Sequence, residues 1–319
     1  MNPYASVAII IPCFRVERHI AGVIRSIPEQ YRTIICVDDA SPDTSAAVIQ
    51  GLGDPRVILV RHARNLGVGG AVKTGYAEAM RRGAGICVKM DGDGQMSAED
   101  LDALVAPLLD ASADYAKGNR FVDLTALRQM PTVRLVGNAL LTFASKCACG
   151  YWNMLDVSNG FTAISAGLLR RLDLARISDR YFFETSMLIE LNILRAAVAD
   201  VSMPARYGDE RSSLRISRVL ATFPALLVRG LARRLYWRYV IEDFGVASVC
   251  AVAGIPLLLF GTSFGAVRWL ETVSSGTPAT AGTVLVAALP IIVGFQLVLA
   301  AVLLDVLSSP TAKHHRDRP

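Results

Sequence analysis

The chain has few cysteines, no basic leader, and two long stretches with no charge at all. Of its six cysteines, Cys147 and Cys149 have no partner pair at zinc-site spacing. Cys13, Cys36 and Cys87 fall in apolar runs expected to be core strands, where a thiol behaves as a small apolar group. None is expected to be catalytic, and the pattern fits a cytosolic compartment. With polar Asn2 and no basic leader before Val7, a signal peptide is not expected. No interleaved aromatic and basic motif is present, so nucleic acid is not an expected partner.

The uncharged stretches are residues 244–267 and 277–304, each longer than the ~20 residues a helix needs to cross a bilayer. A buried core helix rarely stays uncharged that long, so a membrane-spanning pair is expected. The rest of the chain must then carry the 19% of charged residues, and the mean hydropathy of +0.39 reflects this unevenness. Arg229, Arg233, Arg234 and Arg238 precede the first run, and Lys313, Arg316 and Arg318 follow the second. The loop between the runs offers only Arg268 and Glu271, so the positive-inside rule puts both flanks in the cytoplasm. The expectation is a multi-pass protein of the cytoplasmic (inner) membrane whose large N-terminal part faces the cytoplasm. The net charge of +5 owes much to these arginines, which points to anionic membrane lipids as partners.

What the N-terminal part does contain is an alternation of apolar strands and amphipathic helices. Residues 7–11, 33–37, 56–60 and 86–90 read as strands, and 17–27, 43–49 and 69–81 as helices. Such βαβα order with short connections specifies a mostly parallel, helix-covered sheet. Strand ends carry Asp38, Asp39, Asp91 and Asp93, which are expected to face one crevice at a topological switch point. In Asp91-Gly92-Asp93-Gly94-Gln95 two carboxylates one residue apart repel unless a cation lies between them. Mg²⁺ or Mn²⁺ suits them, with Gln95 as a neutral oxygen donor, although a solvated Asp-Gly turn has the same composition.

The stretch Asn65-Leu66-Gly67-Val68-Gly69-Gly70-Ala71 does not follow the first strand directly, so it is no dinucleotide fingerprint. Its glycines let a helix start close to the sheet, and the helix N-terminus around Gly70 favours a nearby anion. Residues 214–231 repeat apolar side chains at helical spacing, with Arg215, Arg218 and Arg229 opposite and a break expected near Pro224. That segment suits a membrane interface or a helix packed on the soluble domain.

Taken in order, Ile9-Ile10-Ile11-Pro12, Val37-Asp38-Asp39-Ala40-Ser41, the Gly67 stretch, Asp91-Gly92-Asp93-Gly94-Gln95, Gly118-Asn119-Arg120 and Ser158-Asn159-Gly160-Phe161 resemble family 2 glycosyltransferases of the GT-A fold. The branch most resembled is the polyprenyl-phosphate glycosyltransferases, dolichol-phosphate mannosyltransferase among them. The resemblance implies an α/β GT-A domain over 1–205, an arginine-rich loop and juxtamembrane helices over 206–241, two transmembrane helices over 242–307 and a basic cytosolic tail over 308–319. It further implies that Pro12, Phe14, Glu17, Asp38 and Asp39 hold the nucleoside and that Asp91, Asp93 and Gln95 hold a metal on the diphosphate. Lys117, Arg120 and Arg206 would contact phosphates, and Ser213 matches a Gly-x-Ser loop loosely. Where the family has Pro-x-Tyr-Asn-Glu this chain reads Pro12-Cys13-Phe14-Arg15-Val16-Glu17, which leaves the base open. The Gln-x-x-Arg-Trp signature of processive synthases is missing, which implies transfer of one sugar.

The expected activity is therefore metal-dependent, inverting transfer from a nucleotide sugar to a polyprenyl phosphate, with Asp93 and Arg206 central to the chemistry. A phosphate acceptor is already an anion and needs no strong base. A saccharide or lipid hydroxyl would need one, and Glu184 is the candidate. An inactive membrane scaffold is the non-enzyme alternative.

Overall fold

The computed structural model describes residues 3–120, 132–204 and 216–310. The chain begins with β1 (Val7–Cys13), α1 (Ile20–Ser26), β2 (Thr33–Asp38), α2 (Ser45–Gly51), β3 (Val57–Arg61), α3 (Val68–Arg81) and β4 (Ile86–Lys89). There follow α4 (Leu101–Leu109), β5 (Tyr115–Asn119), α5 (Thr132–Cys149), β6 (Thr162–Ser165), α6 (Ala166–Arg171), α7 (Phe183–Ile193) and β7 (Val198–Ser202). The C-terminal elements are α8 (Ile216–Tyr236), a π-helical turn (Trp237–Glu242), α9 (Val246–Ser275) and α10 (Ala281–Leu307).

All seven strands form one sheet in the order β3-β2-β1-β4-β6-β5-β7. β1 to β4 are mutually parallel, β6 runs antiparallel to both β4 and β5, and β5 is parallel to β7. β1 and β4 read as unbroken apolar runs because both faces of this sheet are covered. Ile9 and Ile11 join one hydrophobic cluster with Val23, Val88 and Leu104, and Ala8 and Ile10 join the other with Val72, Cys87 and Met187. Full burial of one such aliphatic side chain stabilises the fold by about 1.5–3 kcal/mol.

The first compact unit runs from the N-terminus to Arg234 and so includes most of α8. Part of that segment packs on the domain. Leu227 is buried, and Phe223 and Leu231 lie against the cluster that holds Met187 and Ile189. The helix continues through Pro224, where a break was expected. Arg234, 1% exposed, donates from Nε to the Ala148 carbonyl and from Nη2 to the Cys147 carbonyl, both at 3.0 Å. It thereby caps the C-terminal carbonyls of α5, where a cation is favoured.

The second unit spans residues 235–309. α9 and α10 are 30 and 27 residues long and apolar enough to cross a membrane. Arg268 and Glu271, expected in the connecting loop, pair at 2.7 Å within α9. The two helices meet at small residues. A Cβ on Gly294 would come within 2.6 Å of the Leu258 nitrogen and 2.9 Å of the Gly254 oxygen. Such close approach lets helices pack by dispersion where lipid offers no hydrophobic gain. At one end of the pair the Tyr239 hydroxyl donates to Asp305 Oδ1 at 2.6 Å, and the Ser248 hydroxyl to the Tyr239 carbonyl at 2.6 Å.

Gly294→Val should force α9 and α10 apart and cost about 1–3 kcal/mol, the usual penalty of overpacking. Thermal unfolding in detergent checks this: a Tm equal to that of the parent would show that the close approach is not required.

Candidate active site

β1, β2 and β4 end at the same edge of the sheet, with Cys13 opposite Asp38 and Lys89 opposite Ile10. The chain leaves β4 into Asp91-Gly92-Asp93, and the Asp93 carboxylate accepts the Gln95 amide at 3.0 Å. On the other flank Lys89 and Lys117 both lie opposite Thr162 of β6. Residues in one register position share a face, so the two lysines point to the same side of the sheet.

Lys89 is 1% exposed. Its ammonium lies 2.8 Å from Asp91 Oδ1 and 3.3 Å from Glu184 Oε1, and donates to the Gly160 carbonyl at 3.1 Å. Burial alone would lower its pKa, but the charges of Asp91 and Glu184 outweigh burial and raise it above the ordinary lysine value. Sequence reasoning missed this residue; the signal was a lone charge inside the apolar run Ile86-Cys87-Val88-Lys89-Met90. Gly160 is small because a Cβ there would collide with the Lys89 ammonium and lie 2.8 Å from Asp91 Oδ2.

Glu184 reaches this cluster from the first turn of α7. The segment before it is pinned across the glycine-rich turn: the Asp179 carbonyl accepts the Gly69 and Gly70 amides at 2.8 and 3.2 Å. A Cβ on Gly69 would lie 2.7 Å from a Phe183 ring carbon. These glycines thus admit a crossing chain, and the Gly70 amide expected to favour a substrate anion is satisfied by protein instead.

Two further side chains are also engaged by the protein. Asp39, 2% exposed, accepts the Leu66 amide and His62 Nδ1 on Oδ1 and the Gly67 amide on Oδ2, each at 2.8 Å. It thereby shapes the turn. Lys117 is fully buried and donates to the Asn159 carbonyl. Burial lowers its pKa to about 8 against the opposing pull of Glu184 and Asp156. Arg120 remains partly exposed, with Nε 2.8 Å from Oδ2 of the buried Asp156, a partner the sequence did not reveal.

Asp38 is buried, accepts the Ser41 amide at 3.3 Å and lies 3.7 Å from Arg61 Nε. Pro12 lies just before β1 ends at Cys13, Phe14 beyond it is exposed, and Arg15 stacks over the Phe14 ring at 5.4 Å. Glu17 accepts the Thr44 amide and hydroxyl at 3.1 and 2.8 Å and lines a cavity of about 250 Å³ with Arg15, Arg18, His19 and Asp43. Burial pushes the Asp43 carboxyl up, yet the Ser41 and Ser45 hydroxyls and the Ser45 and Glu17 amides outweigh this and hold it at about 2. Arg206 and Ser213 lie outside the described residues.

Among the described residues no three His, Cys, Asp or Glu side chains converge as a self-sufficient metal site. Asp91 and Asp93 nevertheless fit a hard cation of the kind that takes one or two carboxylates and completes its shell with phosphate and water oxygens.

The model of a family described as glycosyl transferase family 2 matches residues 8–173. The chain is 29% identical to the UDP-N-acetylglucosamine–dolichyl-phosphate N-acetylglucosaminyltransferase of Methanococcus voltae, over 67% of this chain and 91% of that one. It is also 29% identical to the polyprenol monophosphomannose synthase of Mycolicibacterium smegmatis, over 59% and 72%. The crystal structure of glucosyl-3-phosphoglycerate synthase from Mycobacterium tuberculosis superposes with a TM-score of 0.53 at 22% identity, over 72% of this chain and 79% of that one, and shares its fold.

The Lys117 amine, at about 8 when folded, lies below the ~10.4 of an unfolded lysine. Between these values the unfolded chain binds more protons, so the penalty of burying this charge is full below pH 8 and fades as pH rises. The stability of the parent relative to Lys117→Met should therefore increase from pH 8 to pH 10. Paired thermal unfolding across that range checks this, and a constant difference would contradict it.

Proposed function

This chain belongs to glycosyl transferase family 2, and we propose that it transfers one sugar, with inversion, from a nucleotide sugar to a polyprenyl phosphate at the cytoplasmic leaflet. It is a glycosyltransferase of GT-A-like fold with two helices able to span a membrane. The relatives' names support a lipid phosphate as acceptor.

The observation that carries this reading is the Lys89–Glu184 pair. Glu184, the candidate base for a hydroxyl acceptor, is held 3.3 Å from a buried ammonium. That contact commits Glu184 to compensating the ammonium, and an uncompensated buried charge is costly. A phosphate monoester needs no such base: its oxygen attacks the anomeric carbon as the nucleoside diphosphate departs from the opposite face. Charge then builds on the leaving diphosphate. Asp91 and Asp93 would hold Mg²⁺ or Mn²⁺, which when bound supplies charge stabilisation there. Arg120 and Arg206 contribute guanidinium donors, whose fork matches phosphate oxygens. Phe14, Glu17 and Asp38 line the nucleoside end.

Two experiments test the proposal. With a radiolabelled nucleotide sugar, the purified protein should label a polyprenyl phosphate and not the polyprenol of equal length, and Arg206→Ala should depress transfer more than Glu184→Gln. Labelling of the alcohol would mark a hydroxyl acceptor. For orientation, a cysteine replacing Ser274 should react with impermeant reagents only from outside the cell. Reaction only from the cytoplasmic side would reverse the topology.

A further inference from the structure

Lys89 has a role that the proposed reaction does not by itself require. Asp91 brings one negative charge to the metal-binding edge, and the Lys89 ammonium already shares it at 2.8 Å. Glu184, at 3.3 Å, takes part of the lysine's charge in turn. Lys89 is enclosed, with 1% of its surface exposed, and its ammonium also donates to the Gly160 carbonyl at 3.1 Å. In this poorly screened setting like charges act strongly on one another.

We propose that Lys89 is a positioning residue that keeps the affinity of the Asp91–Asp93 edge for a free divalent cation low, so that the cation binds together with a nucleoside diphosphate. This rests on the metal part of the proposed function. The diphosphate supplies the negative charge that Lys89 removes from Asp91. Glu184 sets how much of the lysine's charge reaches Asp91, so removing either charge should move cation affinity, in opposite directions.

The test is titration of the full-length protein with Mn²⁺, followed by electron paramagnetic resonance, with and without UDP or GDP. The parent should bind Mn²⁺ at least tenfold more tightly with one of the nucleotides than without. Without nucleotide, Lys89→Met should bind Mn²⁺ roughly tenfold more tightly than the parent, and Glu184→Gln more weakly, as expected for one charge removed at close range. A purely structural role would weaken binding in both variants or in neither, and that result overturns the inference. Should Lys89→Met fail to fold, as judged by thermal unfolding, Glu184→Gln decides: unchanged or tighter binding overturns the inference. Absence of Mn²⁺ binding to the parent in every condition would overturn the metal reading and this inference together.

Discussion

The site depends on one buried ammonium. Lys89 stands at the end of a strand whose other side chains are apolar, and it is tolerated because Asp91, Glu184 and the Gly160 carbonyl surround it. A buried lysine without such partners would lose its proton or unfold its surroundings. Each partner comes from a different part of the chain, so the charge fixes the relation of the β4 end, the turn before β6 and the start of α7.

Asp39 performs a comparable service for the neighbouring turn. Its three acceptor contacts hold residues 62–67 in place. The amides that follow, of Gly69 and Gly70, hold the Asp179 carbonyl, and the chain runs from there into α7 and Glu184. A carboxylate that the sequence presents as a ligand is thus part of the frame that brings another carboxylate to the site.

The parallel half of the sheet was legible because period and punctuation are local: apolar runs ended by Asp or Pro mark β1, β2 and β4 without tertiary information. The carboxylates at strand ends were legible for the same reason. What was not legible depended on partners distant in sequence. Nothing near Asp39 announces that Leu66 and Gly67 will take its oxygens, and nothing near Lys117 announces that β6 and β7 will enclose it. The repeat in α8 gave the apolar face but not what covers it, since lipid and a protein core ask for the same side chains. Lys89 was overlooked because an apolar run draws attention to its carboxylate end and not to a charge within it.

The Lys89–Glu184 contact joins residues 95 positions apart. Closing so long a loop costs chain entropy that only later contacts repay, and such non-local pairings form late in folding. During synthesis, β1 to β4 can be complete while the ammonium still lacks its second carboxylate. The balanced charge at this edge is therefore a property of the finished domain, and a chain cut short before α7 would carry every strand-end aspartate yet lack that balance.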